Sequence, residues 1–181
     1  WSNTYDFGTF HVRKIQTAPV CTAGYVYSTS GQGQLRQVAP DGTITNLGTP
    51  AGVANFNGLG IGSGGTLVYG IQRSDGSGTE QSGTVWVYNT ATGVWTTTGQ
   101  NSGNTKTNLI GGAVDLSTGL YYFGGFTSSG DFKVYEYNPD ASTKIKLKAT
   151  VSTTAQSNAN GDIAFDAEGN FYIVRGSGNQ S

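Results

Sequence analysis

Sulfur and formal charge are scarce in this chain. Its 181 residues include one cysteine, Cys21, and no methionine, so no disulfide can form within it. A cytosolic protein looks like this, and so does a surface protein of an organism that avoids disulfides; the count leaves both open. A nucleophilic Cys21 would need a paired histidine, and the sole one, His11, lies ten residues away in an alternating stretch, so Cys21 reads as a structural thiol. The missing methionine, with Trp1 in first place, suggests a processed chain or a piece of a longer one. Charged residues make up 12%, ten positive against eleven negative, with no basic cluster, which argues against a nucleic-acid footprint. No apolar run approaches the roughly 18–20 residues of a membrane span. Ala, Leu, Glu and Lys are too sparse for long helices.

What is present is glycine (29), threonine (24), serine (16) and asparagine (13), together 82 residues, and 21 aromatic rings. Disordered chains are poor in rings and rich in charge, the reverse of this one. Aromatic side chains bury large areas per residue, so a packed core is available despite an apolar share of only 35%. The composition predicts an all-β domain punctuated by glycine turns.

Repetition gives the architecture. Gly58-Leu59-Gly60-Ile61-Gly62-Ser63-Gly64-Gly65-Thr66-Leu67-Val68-Tyr69 lines up with the segment from Gly112 to Phe123 and again with the segment from Asp162 to Ile173. Each is a short apolar strand, a tight turn ending in glycine, and an aromatic-rich strand. The turn glycines Gly65, Gly119 and Gly169 lie 54 and 50 residues apart. A second motif, an alternating strand followed by a turn, recurs between them, with Val38, Tyr88 and Tyr137 spaced at 50 and 49 residues. One unit is thus four antiparallel strands in about 50 residues, the signature of a β-propeller blade.

The line Gly161-Asp162-Ile163-Ala164-Phe165-Asp166-Ala167-Glu168-Gly169-Asn170-Phe171-Tyr172-Ile173-Val174 resembles the inner-strand line of NHL and gluconolactonase-type propellers. From about Cys21 to Gly176 the chain is similar to propeller-like modules of large bacterial cell-surface proteins. Blades are expected at about 21–50, 55–99, 108–151 and 158–176, or three blades plus two strands. Closed propellers use about 4–8 blades. The expectation is therefore an incomplete propeller, with residues 1–20 ending an upstream stalk domain. The alternative is a small four-bladed ring in which residues 9–15 supply an outer strand.

Few residues point to chemistry. Asp115 and Asp166 precede tight turns, where Asp accepts backbone N–H bonds and sets the turn. The resemblance implies an axial metal site, and the positions entering the inner strands are Asn55, Asn57, Asn108, Asn158, Asn160 and Asp162. Of these Asn57, Asn108, Asn160 and Asp162 are the axis-facing candidates. A hard cation prefers more anionic oxygen than one carboxylate provides. In the insertion from Arg73 to Glu80, Asp75, Ser77, Thr79 and Glu80 place oxygens at alternating spacing, a faint calcium-loop pattern without the flanking helices. Lys144, Lys146 and Lys148 alternate with apolar residues as the wet face of an outermost strand. Trp86 or Trp95 could serve as a glycan platform, although most rings should be core. Asn179-Gln180-Ser181 is a chance sequon, and no glycine pair has the lysine of a phosphate loop.

These readings favour a non-catalytic module of an extracellular or cell-surface protein, for display, adhesion or assembly, with no required cofactor apart from a weak calcium candidate. Its loops at 72–83 and 99–108 would face a protein or cell-surface glycan, and its sheet edges the rest of the parent polypeptide or another copy. The alternatives are a metal-dependent lactonase-like enzyme with its site at the axis, and a glycan-binding lectin.

Overall fold

A computed structural model of the chain describes residues 24–48, 53–74, 80–153 and 160–176. These contain thirteen strands in four antiparallel sheets and no α-helix. The first sheet is β1 (Val26–Thr29), β2 (Leu35–Val38) and β3 (Ile44–Gly48). The second is β4 (Phe56–Ile61), β5 (Leu67–Arg73), β6 (Gly83–Asn89) and β7 (Val94–Asn101). The third is β8 (Asn108–Asp115), β9 (Leu120–Phe126), β10 (Phe132–Tyr137) and β11 (Ile145–Val151). The last is the hairpin β12 (Asn160–Phe165) and β13 (Phe171–Gly176). Strands adjacent in each sheet are consecutive in the chain, so every sheet is a meander. Residues 1–20, with the strand expected at 9–15, lie outside the described residues, as do Cys21 and His11.

The hairpins are made by the residues that signalled them. Asp115 Oδ1 accepts the Ser117 N–H at 2.9 Å, and Gly119 turns the chain at φ 74°. Asp166 Oδ1 accepts the N–H groups of Glu168 and Asn170 at 3.1 and 2.8 Å, and its Oδ2 accepts the Tyr172 hydroxyl at 2.8 Å. Both carboxyls are held below the usual aspartate range, Asp115 by the Ser117 hydrogen bond first and Asp166 by that of the Asn170 side chain. These carboxylates set turns.

The sheets stack radially. Inner strand β4 lies against β8, and β8 against β12; β1, β5 and β9 also meet the inner strand of the following sheet, in the pairs β1–β4, β5–β8 and β9–β12. Three cores fill the spaces between sheets. The first joins Leu35 and Tyr27 to Phe56, Val68, Tyr88 and Trp95. The second joins Tyr69, Ile71 and Val85 to Leu109, Tyr121, Phe123 and Tyr137. The third joins Ile110, Tyr122, Phe126 and Val134 to Ile163, Phe165 and Phe171. No substantial packing joins the first sheet to the last among the described residues. This is an incomplete propeller: two four-stranded blades between two partial ones.

Register corrects one alignment. Spacing by glycine matches Tyr69 with Phe123. The strand pairs Ile61–Val68, Val114–Tyr121 and Phe165–Phe171 are equivalent instead, so Tyr69 corresponds to Tyr122 and to Tyr172. The shift arises in the β4–β5 connection, a 3-10 turn over Ser63–Gly65 in which Gly64 and Gly65 both have positive φ. In the first sheet the pairs Val26–Val38 and Tyr27–Gln37 place Tyr27 at the same position. One tyrosine thus recurs in every sheet, on the face toward the following sheet.

Candidate functional site

The inner strands meet at an open cleft of about 240 Å³ between β4, β8 and β12. Its walls are backbone and apolar side chains, including Leu59, Gly60, Val114 and Phe165, and among the described residues its one charged lining residue is Asp162. Glycine lets the strands approach this closely. The Tyr121 hydroxyl donates to the Gly58 carbonyl at 2.5 Å, and a Cβ at Gly112 would run into that hydroxyl and the same carbonyl. Burial first, and then the charge of Asp162, push the Tyr121 hydroxyl well above the usual tyrosine range.

Of the four axis-facing candidates, Asp162 alone lines the cleft; Asn57, Asn108 and Asn160 sit at or near the starts of their strands. Asn57 Oδ1 accepts the Gly58 N–H at 2.8 Å and Asn160 Oδ1 the Gly161 N–H at 2.9 Å. Asp162 Oδ1 accepts the Ile163 N–H at 2.8 Å. The Asn108 Oδ1 is buried and has no hydrogen-bond partner among the described residues. Asn55, at φ 55°, uses its carbonyl to receive the Arg73 N–H and Nε. Asn158 lies outside the described residues. An asparagine spent on its neighbour's N–H is placed to start a strand. Among the described residues the cleft offers one carboxylate and apolar walls, less anionic oxygen than a hard cation prefers. No group of three or more His, Cys, Asp or Glu gathers among the described residues.

Asp75, Ser77 and Thr79 lie outside the described residues. Glu80, the fourth oxygen donor of that insertion, is exposed and spoken for: its Oε2 accepts the Asn104 Nδ2 at 2.6 Å and the Lys106 ammonium at 2.7 Å. Those two bonds, Lys106 first, hold its carboxyl below the usual glutamate value. A cation on this oxygen would have to displace an ammonium.

The loop expected to face a partner at 99–108 is largely tied down. Its first residues belong to β7, and Thr105 and Thr107 are buried. Gln81 is buried too, with its Oε1 accepting the Leu109 N–H at 2.7 Å and its carbonyl the Thr105 hydroxyl at 2.7 Å. Lys133 and Tyr135 both donate to the Thr105 carbonyl. The stretch reads as a solvated loop in sequence because its threonines are buried by residues distant in the chain.

The lysine stripe on β11 is also more than a wet face. Glu136 on β10 is buried, and its Oε2 accepts Lys148 Nζ at 2.6 Å and the Tyr122 hydroxyl at 2.9 Å, while Lys146 approaches Oε1 at 3.4 Å. Burial opposes ionisation here, but the Lys148 and Tyr122 hydrogen bonds and both lysine charges outweigh it, so the carboxyl stays below its ordinary value. Tyr122, by burial and then by Glu136, is pushed up to about 12. Trp95 is no platform. It is buried between Phe56, edge-on at 5.0 Å, and Tyr88 at 5.5 Å. Trp86 is half-buried and donates Nε1 to Gln72.

No protein-family model matches the chain, and no curated protein does. Solved structures do. An auxiliary nutrient binding protein from Bacteroides thetaiotaomicron aligns over 85% of this chain and 33% of its own, at 14% identity and a TM-score of 0.58. A structure of the nidogen/laminin complex aligns over 86% of this chain and 54% of the other, at 15% identity and the same TM-score. A gluconolactonase from Xanthomonas campestris aligns over 81% and 43% at 18% identity, with a TM-score of 0.47. The chain spans between a third and about half of the length of these structures. The first two show the propeller fold.

Proposed function

We propose that this chain is a non-catalytic propeller module of an extracellular or cell-surface protein, working in display, adhesion or assembly. The observation that carries the reading is how the carboxylates are used. Asp115 and Asp166 set turns, Glu80 holds Lys106, Glu136 holds two lysines and a tyrosine, and Asp162 caps a backbone N–H in an otherwise apolar cleft. Groups already engaged in the fold are poorly placed for acid–base work, which needs a side chain within reach of a substrate proton. The sequence adds a composition rich in threonine, asparagine and glycine with few charges. Two similar folds occur in proteins described as nutrient-binding and as part of a nidogen/laminin complex, both binding roles. Stacked sheets would hold a rigid surface toward a protein or cell-surface glycan.

Two experiments test this. Protease treatment of intact cells that express the tagged parent protein should remove the tag; full protection while the cells stay sealed contradicts a surface location. Lactone hydrolysis measured with added divalent metal should show no turnover above buffer. Turnover that disappears in Asp162→Ala would contradict the non-catalytic reading and select the lactonase-like one.

A further inference from the structure

Asparagine followed by glycine occurs twice in the chain, at Asn57-Gly58 and Asn160-Gly161, and both pairs sit at or near the starts of inner strands. In each the asparagine Oδ1 accepts the N–H of its own glycine, at 2.8 and 2.9 Å. A carbonyl bond is about 1.2 Å long, so that nitrogen lies no more than about 4 Å from the side-chain Cγ, close to the roughly 3–3.5 Å of a near-attack pair. Packing explains why glycine follows: a Cβ at Gly161 would run into the Val174 carbonyl, and one at Gly58 into the Tyr121 hydroxyl. The same lack of a side chain leaves the glycine nitrogen unshielded. Asn108 is the register equivalent of Asn160, through the pairs Asn108–Phe126 and Asn160–Gly176, yet its setting differs. Leu109 follows it, the Leu109 N–H donates to Gln81 at 2.7 Å, and the Asn108 Oδ1 has no hydrogen-bond partner among the described residues.

We propose that Asn160 is a self-modification site, at which the Gly161 nitrogen attacks the Asn160 side chain and converts its amide to a carboxylate. The Gly161 N–H gives up its proton to solvent base, and a bond forms between that nitrogen and Cγ. The Cγ–Nδ2 bond breaks, and Nδ2 leaves as ammonia with a proton from solvent. The product is a five-membered imide. Water then opens the imide at either carbonyl, leaving aspartate or the isomer whose backbone runs through the side chain. Asn160 is exposed and Gly161 half-buried, so water reaches the imide. Asn57 is slower in the same chemistry, because Gly58 is buried and its carbonyl is held by the Tyr121 hydroxyl. Strand alternation puts residues 160 and 162 on one side of β12, so the reaction adds a second carboxylate to the side that carries Asp162. The step depends on local geometry and not on the surface role proposed above, so its failure would leave that role standing.

Peptide mapping of the full chain, aged in neutral buffer at physiological temperature, tests this. The peptide carrying Asn160 should gain the mass of an amide-to-acid conversion and resolve into aspartate and isoaspartate forms. Asn57 should follow, and Asn108 should convert at least about tenfold more slowly than Asn160. The Asn160 rate should rise from mildly acidic to mildly alkaline buffer, as removal of the amide proton requires. Folding should preserve that rate to within about tenfold of its value in urea. Asn160→Gln, whose longer side chain closes the ring poorly, should lose the product while its far-UV dichroism and urea midpoint match the wild type. Three results overturn the proposal: no conversion at Asn160 in the native chain, a native rate more than about tenfold below the unfolded one, or Asn108 converting as fast. Asn57 converting ahead of Asn160 overturns it as well, because exposure would then not select the site.

Discussion

Tyr122 and Tyr172 stand at one repeat position and lead different lives. Tyr122 is buried under the last sheet, and its hydroxyl donates to Glu136 on the neighbouring strand. Tyr172 faces solvent and turns its hydroxyl to Asp166 in its own hairpin. The repeat specifies the residue, but the next sheet decides whether it is core. One position along, on the opposite face, both residues have a preceding sheet to pack on, yet Phe123 is fully buried between the second and third sheets while its equivalent Ile173 is only partly buried.

The largest contrast comes from truncating that pair. Phe123→Ala should destabilise the chain by about 3–5 kcal/mol, the usual loss for a buried aromatic, whereas Ile173→Ala should lose about half as much. Urea unfolding of both variants checks this; equal losses would mean that the last sheet is as well covered as the third. Next, Gly112→Ala should lose about 1–3 kcal/mol by overpacking against the Tyr121 hydroxyl and the Gly58 carbonyl. A neutral result would show that the inner strands are not held at this spacing.

Deleting the two hydroxyls sharpens the comparison further. Tyr122→Phe leaves buried Glu136 short of a donor and should destabilise by about 1–2 kcal/mol, whereas Tyr172→Phe should leave the urea midpoint essentially unchanged. The acid response of Glu136 gives a related, smaller effect. Its carboxyl is lowered in the fold, so its contribution is present above its unfolded value, near 4.3, and is lost as pH falls through the folded value. Glu136→Gln should therefore be less stable than wild type at neutral pH by about 1 kcal/mol, and the gap should close in acid. A gap that widens on acidification would reverse the sign argued here.

Much of this is legible in the sequence alone. Gly119 and Gly169 marked hairpins because the turn leaves them at positive φ, and Asp115 and Asp166 marked the turns they bond. The four-strand unit followed from recurrence alone. What was not legible depends on register and on contacts between strands. The two left-handed glycines at Gly64 and Gly65 hid the true alignment of Tyr69, and with it the tyrosine series. Lys146 and Lys148 alternate like a solvent face, and only cross-strand pairing brings Glu136 beneath them. Asn57 and Asn160 looked like cleft residues because they open inner strands, although their side chains serve the following N–H.

Hydroxyl-radical footprinting of the dilute chain, read residue by residue with mass spectrometry, tests the central comparison most directly. The account predicts rapid oxidation of Tyr172 with strong protection of Tyr69, Tyr121 and Tyr122. Equal protection of Tyr122 and Tyr172 under conditions where the chain is monomeric would contradict it.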